Sequence, residues 1–330
     1  MSESLGGLPL AHEQAAAYCE RLDISLVQYC KRFAGEARDD TRRALIAALA
    51  AVYPDDAFLS PTLWPRCAPL TPHVLALCGT EAGAAAENAE LLAKAGRYFH
   101  GRAAYAAARP LFERALAIRE EVLGPEHPDT AESLDNLAFL VQAQGDLGGA
   151  LPLCERALAI REEVLGPEHP DTAKGLNNFA FMLHTQGDLA GALPLHERAL
   201  AIREEVLGPE HPKTAFSLSN LARVLRDSGH ADEAEPLFRR AIAIGQNVLG
   251  SDHTTTQRFS SEYARLLLGT GRAAAALEIA QPALTAHEAA SGPHHPWTKA
   301  SARVTADALD ALDRDAEATA LRARYGIGSP

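Results

Sequence analysis

Hydrophobic residues recur along most of this chain at the spacing of an α-helix, and the pattern repeats every 42 residues. In residues 129–170, one helical stripe is formed by Leu134, Leu137, Ala138 and Val141. The stripe returns one period later from Leu176 and again from Leu218. A second apolar helix follows in each period, around Ala157 and Ile160 in the type unit. The pattern therefore predicts a chain of helix pairs, which is the mark of a stacked repeat architecture.

Glycine and proline divide the predicted helices at fixed phase. The glycines suit a position with positive φ just after the first helix of each pair, and they are Gly145, Gly187, Gly229 and Gly271. The prolines are expected near the start of the second helix, where a missing N–H is tolerated, and they are Pro110, Pro152, Pro194 and Pro236. A Gly-Pro-Glu-His-Pro loop then separates one pair from the next at residues 124–128, 166–170 and 208–212.

Five histidines share one phase of the repeat: His127, His169, His211, His253 and His295. Metal binding by successive copies is disfavoured, because neighbouring helices pack about 10 Å apart whereas a zinc–nitrogen bond is about 2 Å long. The expected role is structural: each histidine caps the next helix or binds loop carbonyls ahead of a proline at the first helical position. We therefore predict no metal site.

The repeat resembles the tetratricopeptide repeat, and its period exceeds the usual 34 residues of that family, as in the kinesin light chain type. Residues 157–173 and 176–180 carry the match, with the sequences Ala-Leu-Ala-Ile-Arg-Glu-Glu-Val-Leu-Gly-Pro-Glu-His-Pro-Asp-Thr-Ala and Leu-Asn-Asn-Phe-Ala. The resemblance implies an all-α fold, an α-α superhelix (TPR solenoid) with a short helical N-terminal cap. We expect six 42-residue helix pairs over residues 87–325, of which the last is degenerate, and a separate helical region over residues 1–86.

Two short segments of the N-terminal region resemble another family. Leu-Gly-Gly-Leu-Pro-Leu at residues 5–10 and the stretch 63–77 are similar to the GLPL motif and helical connector of bacterial NB-ARC-type signalling NTPases. The sequence has no Gly-x-x-x-x-Gly-Lys-Ser/Thr motif, so a phosphate cradle for nucleotide hydrolysis is missing. We expect this region to be helical, with Leu10 and Trp64 buried.

Composition and charge argue against several classes of function. The net charge of −12 argues against a nucleic-acid or anionic-membrane partner. No apolar run approaches the roughly 18 residues of a membrane span, and the N-terminus lacks signal-peptide features. The five cysteines form no metal-binding spacing and are expected to be reduced thiols of a cytoplasmic protein. With no catalytic motif in the chain, we predict no enzyme activity, no catalytic residue and no cofactor.

The face of the first helices that points away from the second helices is the candidate binding surface, since the resemblance implies that it lines a concave groove. Asn136, Asn178 and Asn220 share one phase there, although asparagine is a mediocre residue inside helices. Each amide can both donate to and accept from the backbone of an extended peptide. Basic and aromatic residues on the same face complete the predicted site: Lys174, Arg223, Arg258, Arg265, Phe139 and Phe181.

The main prediction is a non-catalytic protein- or peptide-binding scaffold. Over the six units this face carries six basic and five acidic residues, so the charge preference is unclear and at most favours an acidic ligand weakly. The asparagines could instead make inter-repeat hydrogen bonds. Two further functions stay open: a sensor arm of an NB-ARC-type system that lacks its own NTPase core, and a structural solenoid that self-associates into homo-oligomers through its ends.

Overall fold

The computed structural model of the chain describes residues 39–55, 57–58, 60–78 and 86–328, with the side chains of 39–44 left out. Within these residues the chain forms fourteen α-helices and one short 3-10 helix, and no strand. The helices are α1 (Asp39–Val52), α2 (Trp64–Cys78), α3 (Ala86–Gly101), α4 (Tyr105–Val122), α5 (Pro128–Ala143), α6 (Leu147–Val164), α7 (Pro170–Gln186), α8 (Leu189–Leu207), α9 (Pro212–Asp227), α10 (Ala231–Val248), α11 (Thr254–Gly269), α12 (Ala273–Ser291), α13 (Pro296–Asp310) and α14 (Asp315–Tyr325), with the 3-10 helix at Pro61–Leu63.

The boundaries predicted from the periodic glycines and histidines are found in the structure. The four phase-matched glycines that follow the first helices all have positive φ, between 74° and 93°. All five periodic histidines cap the helix that follows, because each Nδ1 atom accepts a hydrogen bond from the backbone N–H two residues later. The structural role predicted for these histidines is confirmed.

The expectation for the helix prolines is wrong. The second helices begin several residues upstream of the prolines, so that Pro152 lies inside α6 and Pro194 inside α8. Asp146 and Asp188 cap these two helices, each accepting a hydrogen bond at 2.9 Å from the N–H three residues later. The early aspartate cap therefore starts each helix more than one turn before the proline.

The chain divides into two compact units, Met1–Asn136 and Leu137–Pro330. In the first unit, buried residues that include Tyr53, Cys67 and Val74 form one cluster with the α3 residues Leu91 and Leu92. Trp64 is only partly buried against this cluster, and its indole N–H donates to the carbonyl of Ala57 at 2.8 Å. Leu10 and residues 5–19 lie outside the described residues, so the N-terminal cap stays a prediction.

In the second unit the first helices are joined through buried polar groups. The Nδ2 of Asn177 on α7 donates to the Ser217 hydroxyl on α9 at 2.8 Å, and its Oδ1 lies 2.8 Å from Nδ1 of His196 on α8. Arg203 also donates to Ser217, at 3.0 Å. Asn177, the neighbour of Asn178, thus makes an inter-repeat hydrogen bond.

The second helices of this unit are joined by a repeated contact that we call the outer-helix bridge. The guanidinium of Arg198 on α8 donates to Glu162 on α6 at 2.6 Å and to the carbonyl of Pro167 at 3.2 Å. Arg240 on α10 makes the same two contacts with Glu204 and the carbonyl of Pro209. The Arg–Glu contact of the bridge recurs between α12 and α14, where Arg324 donates a hydrogen bond to Glu288 at 2.7 Å.

The bridge positions between α10 and α12 are occupied by Gln246 and Pro282, both exposed. Neither residue carries a charge, so the bridge is missing at this step, although Glu235 on α10 pairs with Arg272, the N-cap residue of α12, at 2.6 Å. Beside the last described helix pair, Tyr325 and Ile327 are buried with Leu284 and Ala302.

Candidate functional site

A pocket of about 220 Å3 opens on the first helices of the second unit. It lies on the face that the sequence predicted for ligand binding, and α7, α9, α11, α12 and α13 all contribute to it. It is lined by Phe181, Phe216, Ser219, Asn220, Arg223, Arg258, Phe259, Ser261, Glu262, His287, Trp297, Ala300 and Ser301. Aromatic rings, arginines and small hydroxyl side chains therefore share one depression.

Aromatic residues hold the two pocket arginines in place. The guanidinium carbon of Arg223 lies 5.5 Å from the centroid of Phe181, and that of Arg258 lies 4.9 Å from the ring of Trp297. Such cation–π contacts hold a long side chain against the face of the ring. The rings of Phe216 and Phe259 pack edge to face at 5.3 Å and form an apolar part of the wall.

Glu262 organises the charge at this site. It accepts a hydrogen bond from Arg226 at 2.8 Å, and it forms ion pairs with Arg265 at 3.4 Å and Arg223 at 3.7 Å. Burial raises the pKa of Glu262, but the attraction of Arg223, Arg265 and Arg226 outweighs it and lowers the pKa to about 2. Arg226 also donates to Asp227 at 2.7 Å. One carboxylate thus draws three arginines together.

A buried hydrogen-bond chain supports the pocket at α12 and α13. His287 Nε2 donates to the carbonyl of Thr254 at 3.1 Å, which leaves Nδ1 to accept from the Ser301 hydroxyl at 2.8 Å. The hydroxyl of Ser261 lies 3.2 Å from the hydroxyl of Ser301 and extends this series of hydrogen bonds. Burial lowers the pKa of His287 to about 4, so the ring is neutral near pH 7.

Four of the predicted site residues meet at the pocket: Phe181, Asn220, Arg223 and Arg258. Arg265 approaches the site only through Glu262. Phe139 contacts Phe181, with ring centroids 5.7 Å apart, and both phenylalanines pack against a core cluster while remaining partly buried.

The remaining predicted residues lie away from the pocket lining. Lys174 and Asn178 are half-buried on α7. Asn136 belongs to the first unit, and its Nδ2 is buried without a hydrogen-bond partner among the described residues. The part that these three residues take in binding stays a prediction.

Sequence analysis did not single out six of the pocket residues: Ser219, Phe259, Ser261, His287, Trp297 and Ser301. Trp297 follows the capping histidine His295 by two residues, a phase at which the earlier repeats carry aspartate, lysine or threonine. The change to tryptophan at this position was the signal in the sequence that could have identified Trp297. His287 comes from a second helix, outside the predicted face.

Searches against known proteins define the class of this chain. Tetratricopeptide repeat models match residues 82–150, 133–205 and 171–247, and another tetratricopeptide repeat model matches residues 264–296. The matches span more than half of the chain, which therefore belongs to the tetratricopeptide repeat family. No curated protein sequence matches it significantly.

Solved structures agree on the fold. Aspartyl phosphate phosphatase F from Bacillus subtilis is 15% identical, with a TM-score of 0.61 over 99% of this chain and 84% of its own. BtubC (BKLC) from P. vanneervenii is 19% identical, with a TM-score of 0.51 over 68% of this chain and 88% of its own. Kinesin light chain-type nearly identical TPR-like repeats from Podosopora anserina are 28% identical, with a TM-score of 0.47 over 60% and 94%. The first two similarities show the fold alone, and they confirm the all-α TPR solenoid.

Among the described residues, no helix is long and apolar enough to cross a membrane. In the same part of the chain, no three His, Cys, Asp or Glu side chains are grouped so as to hold a metal ion.

Proposed function

We propose that the chain is a non-catalytic scaffold whose first helices bind an extended peptide segment of a partner protein. Tetratricopeptide repeats mediate protein–protein interaction in general, and this chain belongs to that family. The observation that carries the proposal is the pocket, where Asn220 and Arg223 of α9 converge with Arg258 of α11 and the ring of Trp297. Together they offer amide and guanidinium donors beside an apolar wall.

The asparagines supply the peptide-backbone contacts in this proposal. Asn178 and Asn220 occupy the same phase on α7 and α9, and both are half-buried. Asn177 already makes the buried inter-repeat hydrogen bond, which leaves Asn178 available for a ligand. Phe139, Phe181 and Lys174 extend the surface along α5 and α7, and Asn136 would serve the same role in the first unit.

The charge of the pocket favours an acidic ligand. Glu262 is shared by Arg223, Arg226 and Arg265, and Arg226 also pairs with Asp227. These three arginines therefore outnumber the two carboxylates that they contact. A ligand carboxylate would complement this excess, most directly between Arg223 and Arg258.

Peptide display tests the proposal. Random 12-residue peptides would be selected on the full chain, and their affinities compared between the wild type and the variant Asn178→Ala/Asn220→Ala. We expect at least about a tenfold loss of affinity, as for two lost hydrogen bonds of roughly 1 kcal/mol each. Asn247→Ala removes an exposed asparagine from α10 and is the matched control. Equal affinities for all three proteins would show that the asparagines do not bind the peptide.

Residues 87–325 form the binding array in this proposal, in a cytoplasmic protein, and residues 1–86 are a separate helical region. The NB-ARC resemblance makes a regulatory sensor arm the second candidate function. The observation that favours it is that the connector-like stretch 63–77 forms α2 and packs with α3, as a connector to repeats would. Addition of the chain to a P-loop NTPase encoded beside it should change the rate of ATP turnover; an unchanged rate would count against this role.

Self-association through the solenoid ends is a third candidate. Burial of Tyr325 and Ile327 against the last helix pair reduces the apolar surface offered at that end. Sedimentation equilibrium would show whether the molar mass rises with concentration, and a constant monomer mass would exclude this candidate.

A further inference from the structure

The proline of the second helices also occurs in α2, which precedes the six predicted repeats. In four second helices this proline is the sixth residue of its helix: Pro110 in α4, Pro152 in α6, Pro194 in α8 and Pro236 in α10. Pro69 is likewise the sixth residue of α2, which begins at Trp64. A proline this far inside a helix is uncommon, because it removes a hydrogen bond and crowds the preceding turn. Its recurrence places α2 in the series of second helices.

The sequence and the burial of α2 match those of α4. The pattern Pro-Leu-x-x-x-x-Leu-Ala at residues 69–76 recurs at residues 110–117, 152–159 and 194–201. The buried residues of α2 are Cys67, Thr71, Val74, Leu77 and Cys78. Residues at the same spacing are buried on α4, and they are Ala108, Phe112, Ala115, Ile118 and Arg119. The two helices therefore turn equivalent faces towards their neighbours.

α1 has the apolar stripe of a first helix. Its residues Ile46, Leu49, Ala50 and the following Tyr53 repeat the spacing of the stripe that begins at Leu134. Ile46, Leu49 and Tyr53 are buried in one cluster with residues of α2 and α3, and the hydroxyls of Tyr53 and Thr71 lie 2.8 Å apart. α1 packs against α2 and α3, and α2 packs against α3. The same three contacts join α9, α10 and α11.

Lys94 of α3 holds the end of α1. Its ammonium group donates a hydrogen bond to the carbonyl of Ala50 at 2.8 Å and lies 2.6 Å from the carboxylate of Asp55. The carbonyl of Ala50 lacks the usual N–H partner four residues later, because residue 54 is a proline. Lys94 is only 8% exposed, so its bond to this carbonyl is shielded from water. We call these two contacts the Lys94 latch.

Lys94 also occupies the phase of the predicted ligand asparagines, one period before Asn136. Glu262 occupies the same phase on α11, and its partners Arg223 and Arg226 belong to the preceding first helix, α9. Lys94 binds the preceding helix α1 in a comparable way, with a carbonyl and a carboxylate in place of the guanidinium groups. At this phase of α3, the polar group is therefore engaged by the chain itself.

We propose that α1 and α2 are a seventh helix pair, placed before the six of the predicted array, and that the Lys94 latch closes the asparagine position of α3 to ligands. The tetratricopeptide repeat models begin at residue 82, beyond this pair. α1 and α2 cover the face of α3 that a preceding repeat would cover. The statement about ligands rests on the proposed function, whereas the assignment of the helix pair does not.

Hydrogen exchange of the full chain, followed by mass spectrometry, tests the latch. Lys94→Met keeps the apolar stem and removes the ammonium group, so the amides of α1 should exchange at least about tenfold faster, while those of α9 are unchanged. Lys213→Met changes an exposed lysine and is the matched control. Unchanged exchange of α1 in Lys94→Met, or an equal effect in the control, would overturn the latch. Exchange of α1 at the rate of an unfolded chain in the wild type would overturn the whole proposal.

A second pair of variants tests the seventh helix pair. Neighbouring repeats stabilise one another, so loosening α2 should also loosen α3. Val74→Ala changes a fully buried residue of α2 and should speed the exchange of α3 as well as that of α1 and α2, at least about tenfold. Leu75→Ala changes a residue that is 42% exposed on the same helix and should have little effect. If Val74→Ala unfolds the chain, Cys67→Ala replaces it.

The outcome at α3 decides the assignment. Faster exchange confined to α1 and α2 would show a separate cap and would overturn the seventh pair. The statement about ligands is tested with the peptides selected on the wild type, which should bind Lys94→Met with unchanged affinity. A loss of affinity would show that Lys94 contacts the ligand and would overturn the statement. If no peptide is selected, the proposed function and that statement fail together, while hydrogen exchange still decides the seventh pair.

Discussion

The Nδ1 atom of His211 accepts a hydrogen bond from the backbone N–H of Lys213 at 3.1 Å. The histidine thereby satisfies one of the first N–H groups of α9, which have no partner inside the helix. The next residue, Pro212, has no N–H to satisfy. Histidine acts here as aspartate or serine does at other helix starts, and the same bond occurs at all five copies.

Removal of this cap should destabilise the second unit. We expect His211→Ala to lower the free energy of unfolding by about 1 kcal/mol, because the N–H of Lys213 loses its acceptor. His211→Asn should retain most of the stability, since an asparagine side chain can accept the same bond. Urea unfolding followed by circular dichroism measures both. His294→Ala, at an exposed loop histidine, is the control, and an equal loss there would show that the cap contributes nothing.

The outer-helix bridge can be added where it is missing. Gln246→Glu with Pro282→Arg should restore an ion pair between α10 and α12, with a coupling energy of about 0.2–1 kcal/mol in a double-mutant cycle. The natural bridge between Glu204 and Arg240 provides the reference cycle. Zero coupling at the new pair beside a measurable coupling at the natural one would indicate that α10 and α12 are spaced differently from α8 and α10.

Acid should destabilise the protein through its buried histidines. Burial lowers the pKa from 6.5 to about 4 for His287 and His100 and to about 3 for His196. Between pH 6.5 and about 4 the unfolded chain therefore binds more protons than the folded chain, and stability falls as the pH falls. His287 alone accounts for roughly 3 kcal/mol over that range.

Variants separate this histidine effect from that of the carboxylates. Glu262 has a lowered pKa, so its contribution is present above pH 4.5 and is lost only as the pH falls from there towards 2. Urea unfolding from about pH 7 to about pH 5 therefore reports mainly on the histidines. His287→Asn should make the slope of stability against pH shallower whatever its absolute stability, and a slope equal to that of the wild type would contradict the assignment.

Loss of the Glu262 carboxylate should favour acidic ligands. Glu262→Gln removes the shared partner of Arg223, Arg226 and Arg265, so the affinity for an acidic peptide selected on the wild type should rise several-fold and depend more steeply on salt. Glu205→Gln removes an exposed carboxylate on the outer helices and should leave the affinity unchanged. A weaker affinity in Glu262→Gln would mean that Glu262 contacts the ligand or positions the arginines.

Features that depend on a few neighbouring residues were predictable from the sequence. The glycine turns, the histidine caps and the prolines at the start of the first helices all follow from the local backbone, and all occur as expected. Helical phase places Asn178 and Asn220 at matching positions of their helices, but their part in binding stays a prediction. The start of the second helices was misplaced, because an aspartate cap such as Asp146 was overlooked in favour of the more conspicuous proline.

Features that depend on the stacking of repeats could not be predicted from the sequence. A count of charges treats Glu262 as one negative residue among several, whereas the fold surrounds it with three arginines. The bridge residues Glu204 and Arg240 are 36 positions apart. They come into contact only because the second helices of successive repeats lie side by side. The placement of Trp297 in the pocket could not be predicted for the same reason, since its position relative to Arg258 depends on how α13 packs against α11.

The outer-helix bridge bears on how such a gene can change in length. A unit such as residues 171–212 carries both halves of the contact, Arg198 for the unit before it and Glu204 for the unit after it. Unequal recombination that inserts another copy of this segment would therefore create a protein in which every new ionic contact finds its partner. The number of repeats can therefore change by duplication without loss of this contact between neighbouring units.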